Sequence, residues 1–174
     1  MSNAPEPRFI VDNNVAKLAR WLRIMGYDAI SFKGGDDRRM IDLALGGGRV
    51  LVTRDRQIMK RRVIASGRLK AILIEQEWSQ YQLRQLVRTM NLKDAGAFSL
   101  CVECNRTLLP RRREEVEDLV PPHVYRTHTQ YMQCPSCRRV YWQGSHWAAM
   151  RRRLEEFGWN RDGDTPVRKE DGEG

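Results

Sequence analysis

Short apolar runs alternate with amphipathic segments through the first 95 residues, and this alternation restricts the fold more than any other feature of the sequence. The runs RFIVD, YDAISF, RVLVT and KAILIE are typical of strands. The segments NNVAKLARWLRIMG, DDRRMIDLALGGG, RDRQIMKRRVIASG and SQYQLRQLVRTMNL predict helices, the third of them short and basic. The strands are continuously apolar, which indicates burial on both faces. We therefore predict an α/β fold with a doubly wound, mainly parallel sheet.

The pattern changes near residue 96, where short segments and cysteine pairs replace the strand–helix alternation. We predict an α/β domain over residues 8–95 and a separate small module over residues 96–159 that ends in a helix. Residues 160–174 carry no apolar face, which predicts a disordered tail.

All four cysteines fall in two C-x2-C pairs, Cys101 with Cys104 and Cys134 with Cys137. The alternatives are two disulfides or four free thiols, but the N-terminus has no export signal and disulfides are disfavoured in that setting. Four thiolates satisfy tetrahedral Zn²⁺ and leave no position for water, so the sequence predicts a structural zinc ion. Arg138 stands where such turns often have glycine.

Three aspartates occupy equivalent places in the strand–helix pattern. Asp12 ends the first strand, Asp37 opens the second helix, and Asp55 lies two residues past the third strand. Loops at the carboxyl ends of parallel strands face one crevice, so these carboxylates are expected to converge. Converging carboxylates suit Mg²⁺ or Mn²⁺, which can support hydrolysis of phosphodiesters.

Each aspartate also has a purely structural interpretation. Asp37 and Asp55 are well placed as helix N-caps, and Asp12 can close an Asx turn. Asp36 is adjacent to Asp37 and can exchange roles with it. Convergence of all three acids favours the metal interpretation, because caps need not converge.

The chain has 31 Lys and Arg against 22 Asp and Glu, a formal net charge of +9. A basic surface fits a nucleic-acid partner, although it also serves solubility. Candidate RNA contacts are Lys17, Arg20 and Arg54 near the acids, with Tyr141 and Trp142 as stacking residues. Trp147 lies at helical spacing with apolar neighbours and is expected to pack. No apolar run is long enough to span a membrane, and we expect a cytoplasmic protein.

Several motifs in order make residues 8 to about 155 resemble the Mut-seven C-terminal RNase family, a PIN-like nuclease domain followed by a zinc ribbon. The motifs are FIVDNNVAKLARWLRIMGYD, DRRMIDLA, RVLVTRD, CVECNRTL and CPSCRRVYWQGSHWAAM. The resemblance implies a ribonuclease with two Mg²⁺ or Mn²⁺ ions, whose acids match Asp12, Asp37 and Asp55. It also implies that the ribbon helps to hold RNA.

PIN nucleases commonly use a fourth acid, but Arg56 and Gln57 follow Asp55 here, and Glu75 is a candidate by topology alone. We therefore predict a metal-dependent endoribonuclease, with a non-catalytic RNA-binding or ribosome-associated protein as the alternative. A phosphatase is a further alternative, but enzymes that form a phospho-aspartate have an acid where this chain has Asn14. A metal-free interaction scaffold is the remaining one.

Overall fold

The computed structural model describes residues 6–159, and the predicted disordered tail lies outside the described residues. Its main sheet is four-stranded and parallel, with strand order β2-β1-β3-β4. The strands are β1 (Arg8–Asp12), β2 (Ala29–Phe32), β3 (Arg49–Thr53) and β4 (Ala71–Leu73). All four predicted strands therefore form, and they form in parallel.

Helices cover both faces of this sheet. They are α1 (Lys17–Ile24), α2 (Asp37–Gly46), α3 (Arg56–Met59), α4 (Arg62–Ala65) and α5 (Ser79–Met90). Phe9 and Val11 share a buried cluster with residues of α1 and α5, whereas Ile10 packs with residues of α2 and α3. Successive residues of β1 thus serve two separate cores, which confirms the doubly wound α/β architecture.

The segment after β3 differs from the single helix that its sequence predicts, because it folds into α3 and α4. Arg61 interrupts the helix with ψ of 133°. In one continuous helix Ile58 would lie on a different face from Val63 and Ile64, which follow it by five and six residues. The interruption lets all three pack in the same cluster against the sheet.

Residues beyond 96 form a three-stranded antiparallel sheet in the order β5-β6-β7. Its strands are β5 (Leu109–Arg111), β6 (Tyr131–Gln133) and β7 (Val140–Tyr141), and its helices are α6 (Pro122–Thr127) and α7 (Ser145–Glu156). Leu154 of α7 and the following Trp159 are buried in the core that α1 and α5 build. The boundary near residue 96 stays a prediction, since this core takes side chains from both sides of it.

Trp147 of α7 packs against Phe98, with ring centroids 4.7 Å apart, as its helical spacing predicts. Within residues 6–159, no helix combines the length and apolar character needed to cross a membrane.

Candidate acidic site and cysteine cluster

The chain reverses its direction across the sheet between β1 and β3. It leaves β1 toward β2 on one side and leaves β3 toward β4 on the other, so these two adjacent strands flank the switch point where ligands of such sheets bind. Asp12 is the last residue of β1, and Asp55 follows β3 after one intervening residue. Two of the three predicted acids therefore lie at the crevice.

Thr53 connects these two acids. Its hydroxyl donates to Oδ2 of Asp12 at 2.6 Å and accepts the backbone N–H of Asp55 at 3.0 Å. Thr53 is fully buried at the end of β3, directly after the apolar residues Val50–Val52. It was not among the residues predicted from the sequence, although a hydroxyl that follows the apolar run VLV was an available signal.

Asn14 holds Asp12 from the other side. Its amide donates to Oδ2 of Asp12 at 2.8 Å, and its side-chain oxygen accepts the backbone N–H of Arg54 at 3.1 Å. Asn14 thus joins the loops after β1 and β3. Two side-chain donors therefore converge on a single oxygen of Asp12.

Asp36 and Asp37 have separate roles. Asp36 is the N-cap of α2, and its carboxylate accepts the backbone N–H groups of Arg38 at 2.9 Å and Arg39 at 3.4 Å. Asp37 is therefore not the cap, and its side chain lies 3.6 Å from the guanidinium of Arg61. The cap interpretation therefore applies to Asp36, whereas the carboxylate of Asp37 makes no cap bond and pairs with Arg61.

Asp55 does act as a cap. Its Oδ1 accepts the backbone N–H of Gln57 at 2.7 Å, at the start of α3. In the part of the chain that the structure describes, the second oxygens of Asp12 and Asp55 accept no hydrogen bond from protein. Glu75 lies 3.4 Å from Arg56, and both side chains are exposed.

Over residues 6–159, the four cysteines form the only group of three or more possible ligands whose donor atoms all lie within 4.8 Å of one another. The three aspartates share an edge of the sheet without meeting that closely. Their assignment as a metal site stays a prediction.

The cysteine cluster fits tetrahedral zinc. The Sγ atoms of Cys101 and Cys137 are 3.7 Å apart. Zn–S bonds of about 2.3 Å require sulfurs about 3.8 Å apart in a tetrahedron. The four thiols are free of disulfides, so the disulfide alternative does not apply to this structure.

The electrostatics of the thiols also suit a cation. Burial raises the pKa of Cys101, but hydrogen bonds from Tyr141 and the backbone outweigh it and lower that pKa to about 7. The pKa of Cys104 is raised to about 12, and the largest cause is its side-chain hydrogen bond with Cys137. One sulfur thus carries charge easily while its neighbour resists a second one, and a divalent cation would remove that repulsion.

Both cysteine turns adopt the same backbone geometry. The N–H of Asn105 donates to the carbonyl of Cys101 at 2.9 Å, and that of Arg138 donates to Cys134 at 3.0 Å. Asn105 and Arg138 have φ of 58° and 65°. Arg138 therefore takes the left-handed conformation in place of glycine, and the second turn forms despite the substitution.

The candidate RNA-binding residues have mixed surroundings. Lys17 and Arg54 are exposed, and Arg20 pairs with Glu103 at 3.3 Å. The hydroxyl of Tyr141 lies 3.1 Å from the sulfur of Cys101. Trp142 is partly buried and packs against a small cluster around Val116 and Tyr131.

Trp78 follows β4 and has 70% of its surface exposed. It was not singled out from the sequence.

Fold and site together define an α/β protein with acids at the switch point of a parallel sheet and an appended four-cysteine module of the zinc-ribbon type. The model of the Mut7-C RNAse domain family matches residues 7–154. The chain belongs to that family. It is also 31% identical over 102 residues to the human protein named exonuclease mut-7 homolog.

That alignment covers 56% of this chain and 12% of the human protein. The chain therefore corresponds to a small part of this relative. No solved structure matches the chain significantly.

Proposed function

We propose that this protein is a metal-dependent endoribonuclease that hydrolyses RNA phosphodiester bonds at the edge formed by Asp12, Asp37 and Asp55. Family membership supports a nuclease. The observation that carries the residue assignment is the connection of Asp12 and Asp55 through Thr53 at the switch point.

The three carboxylates would hold Mg²⁺ or Mn²⁺, which when bound activates water and stabilises the charge that develops on phosphate. Thr53 and Asn14 both donate to Oδ2 of Asp12, so its other oxygen would be the one to bind the ion. The N-terminus of α3 fixes Asp55 in the same way. Thr53 and Asn14 are positioning residues, and the aspartates are the proposed ligands.

We further propose that Cys101, Cys104, Cys134 and Cys137 bind one structural Zn²⁺, which closes a module with few buried side chains of its own. This ion has no role in the hydrolysis, because four thiolates fill its coordination sphere.

The test is cleavage of an RNA by zinc-loaded protein with Mg²⁺ or Mn²⁺. The Asp12→Asn/Asp55→Asn variant should lose at least about tenfold in rate, as expected when groups that stabilise transition-state charge are removed. Asp42→Asn is the matched control, since Asp42 is exposed on α2 and lies outside the site. Zinc content is measured in every sample, so that a chelator arm reports only on Mg²⁺ or Mn²⁺.

A circular RNA substrate separates internal cleavage from digestion at ends. The human relative is named an exonuclease, whereas we propose internal cleavage, which linearises the circle. If only linear RNA is degraded, the proposed endonuclease mode is wrong and the nuclease class remains.

The second candidate is a non-catalytic RNA-binding protein. The pairing of Asp37 with Arg61 favours it, because a guanidinium already lies beside the carboxylate of one proposed ligand. Tight binding of RNA without cleavage in any divalent cation would support this candidate.

A further inference from the structure

A groove of about 810 Å³ runs between α1, the edge strand β2 and the first cysteine turn. Its lining includes residues from both parts of the chain, such as Lys17 and Lys33 from the first and Arg106 from the second. Among residues 6–159, no aromatic side chain lines it. The groove therefore offers charge and backbone groups to a ligand but no stacking surface.

The lining is strongly basic. Six cationic residues line the groove against two acids, Asp28 and Glu103. Both acids are already paired, Asp28 with Arg49 at 2.8 Å and Glu103 with Arg20 at 3.3 Å.

Three of the cations remain open to a ligand. Lys17, Lys33 and Arg106 are exposed and form no ion pair within residues 6–159. An uncompensated row of cations in a groove attracts polyanions.

The wall formed by the cysteine turn is fixed in place by hydrogen bonds. The amide of Asn105 donates to Asp28 at 2.7 Å, and its oxygen accepts the backbone N–H of Ala29 at 3.2 Å. Arg23 bridges the same gap, donating to the carbonyls of Ala29 and Val102, each at 2.8 Å. The groove is thus a built feature of the fold.

The floor of the groove is the free edge of β2. The backbone N–H and carbonyl of Ala29 both point away from β1. The N–H donates to the side chain of Asn105, and the carbonyl accepts from the side chain of Arg23. Alternation along a strand directs the backbone N–H of Ser31 to the same outer edge. Ser31 lines the groove, so its N–H is a neutral donor beside Lys17 and Lys33.

The strand register directs one end of the groove toward the acidic edge of the sheet. Asp12 is paired in register with Phe32, the last residue of β2. Lys33 follows Phe32 directly, and Lys17 begins the helix after Asp12. A chain that occupied the groove would therefore reach the proposed catalytic carboxylates.

We propose that this groove binds the sugar–phosphate backbone of a single RNA strand and leads it to the acidic edge. The inference rests on the proposed function. Because the described residues line the groove with cations and backbone donors and with no aromatic ring, recognition is independent of base sequence and depends steeply on salt.

The experiment measures binding separately from cleavage. Full-length protein carrying Asp12→Asn/Asp55→Asn is titrated with short fluorescein-labelled single-stranded RNA in Mg²⁺, and anisotropy is followed at several salt concentrations. Lys33→Glu/Arg106→Glu is added to this background. Its matched control is Arg68→Glu/Arg88→Glu, which changes the net charge equally at exposed positions outside the groove. Circular dichroism and zinc content verify folding of each variant.

We expect the groove variant to bind at least about tenfold more weakly than the control variant. The slope of log K against log salt should become shallower by about 0.7 for each phosphate that the variant no longer neutralises. Equal reductions in affinity in both variants would overturn the proposal, because binding would then follow net charge. Unchanged binding in the groove variant would also overturn it.

The groove and control variants are also made in protein that keeps Asp12 and Asp55. Their cleavage rates show whether the groove proposal fails independently of the proposed endonuclease function. If RNA is cleaved and the groove variant keeps its kcat/KM, the groove proposal fails alone. If the groove variant loses affinity but no protein cleaves RNA, the endonuclease proposal fails and the groove remains.

Discussion

The hydroxyl of Thr53 lies 2.6 Å from Oδ2 of Asp12 and is itself fully buried. This hydrogen bond joins the ends of the two central strands at the switch point. The same hydroxyl accepts the backbone N–H of Asp55, so it also ties the start of the following loop to Asp12.

Replacing Thr53 by valine keeps the shape of the side chain and removes its hydroxyl. We expect Thr53→Val to cost about 1–3 kcal/mol in the free energy of unfolding, because the carboxylate of Asp12 and the N–H of Asp55 lose a partner. Nuclease activity should fall by about tenfold, the equivalent of about 1.4 kcal/mol. Urea unfolding and kcat/KM measure both effects. Thr53→Ser keeps the hydroxyl and should remain near wild type, so equal behaviour of the two variants would contradict this role.

Substitutions at Asp36 and at Asp37 should have different effects, the first on stability and the second on RNA cleavage. Asp36→Ala removes the cap of α2 and should cost about 1 kcal/mol in unfolding free energy, with little change in cleavage. Asp37→Asn should abolish most cleavage and leave the thermal midpoint nearly unchanged. The two measurements are made on both variants, and the opposite pattern would identify Asp36 as the ligand.

The sequence predicted the parallel sheet well, because the centres of β1 and β3, FIV and VLV, are continuously apolar and their residues fill cores on both faces. It predicted the cysteine cluster equally well, since the spacing within each pair determines a turn. It could not distinguish Asp36 from Asp37, because either position can cap a helix and only the backbone path decides. The helix interruption at Arg61 could not be predicted, because it depends on Ile58 and Val63 packing in the same cluster. Helix periodicity alone places those two residues on different faces.

The basic groove was beyond prediction for a different reason. Its wall depends on Asn105 reaching Asp28, a contact across 77 positions of sequence. Lys17 and Arg20 were candidates from their proximity to Asp12 in the chain. Lys33 joins them through the pairing of β1 with β2, and Arg106 through the docking of the cysteine turn on β2.

The contact between Asp28 and the cysteine turn predicts a pH effect. Burial raises the pKa of Asp28, but hydrogen bonds from Arg49 and Asn105 outweigh it, and the net pKa lies below its ordinary value of 3.8. A carboxyl group with a depressed folded-state pKa adds stability above its unfolded pKa and loses it as the pH falls through the folded value. At neutral pH the thermal midpoint of the wild type should therefore exceed that of Asp28→Asn, and the difference between the two midpoints should shrink below about pH 4. A gap that stays constant from pH 7 to acid would contradict this assignment.

Zinc removal should unfold the small module selectively. Its two clusters bury Val116, Val120, Val124 and Tyr131 in one and Cys101, Leu108 and Cys134 in the other, and we expect this core to be too small to hold β5–β7 without the ion. After chelation, or in Cys134→Ser, we expect hydrogen-exchange protection to be lost in β5–β7 and retained in β1 and β3. Zinc content measured by a colorimetric chelator should fall from one ion to none. Retained protection in β6 would show that the module folds without zinc.

Glycine substitutions at the two cysteine turns should act in opposite directions. Arg138 is exposed with φ of 65°, a conformation that costs a non-glycine residue about 1 kcal/mol, so Arg138→Gly should raise the thermal midpoint. Asn105 has nearly the same φ, but its side chain binds Asp28 and Ala29. Asn105→Gly relieves the same strain and loses both hydrogen bonds, so it should lower the midpoint. Thermal unfolding of both zinc-loaded variants tests this, and a shift of the same sign in both would mean that backbone strain, and not the contact with β2, determines the stability of these turns.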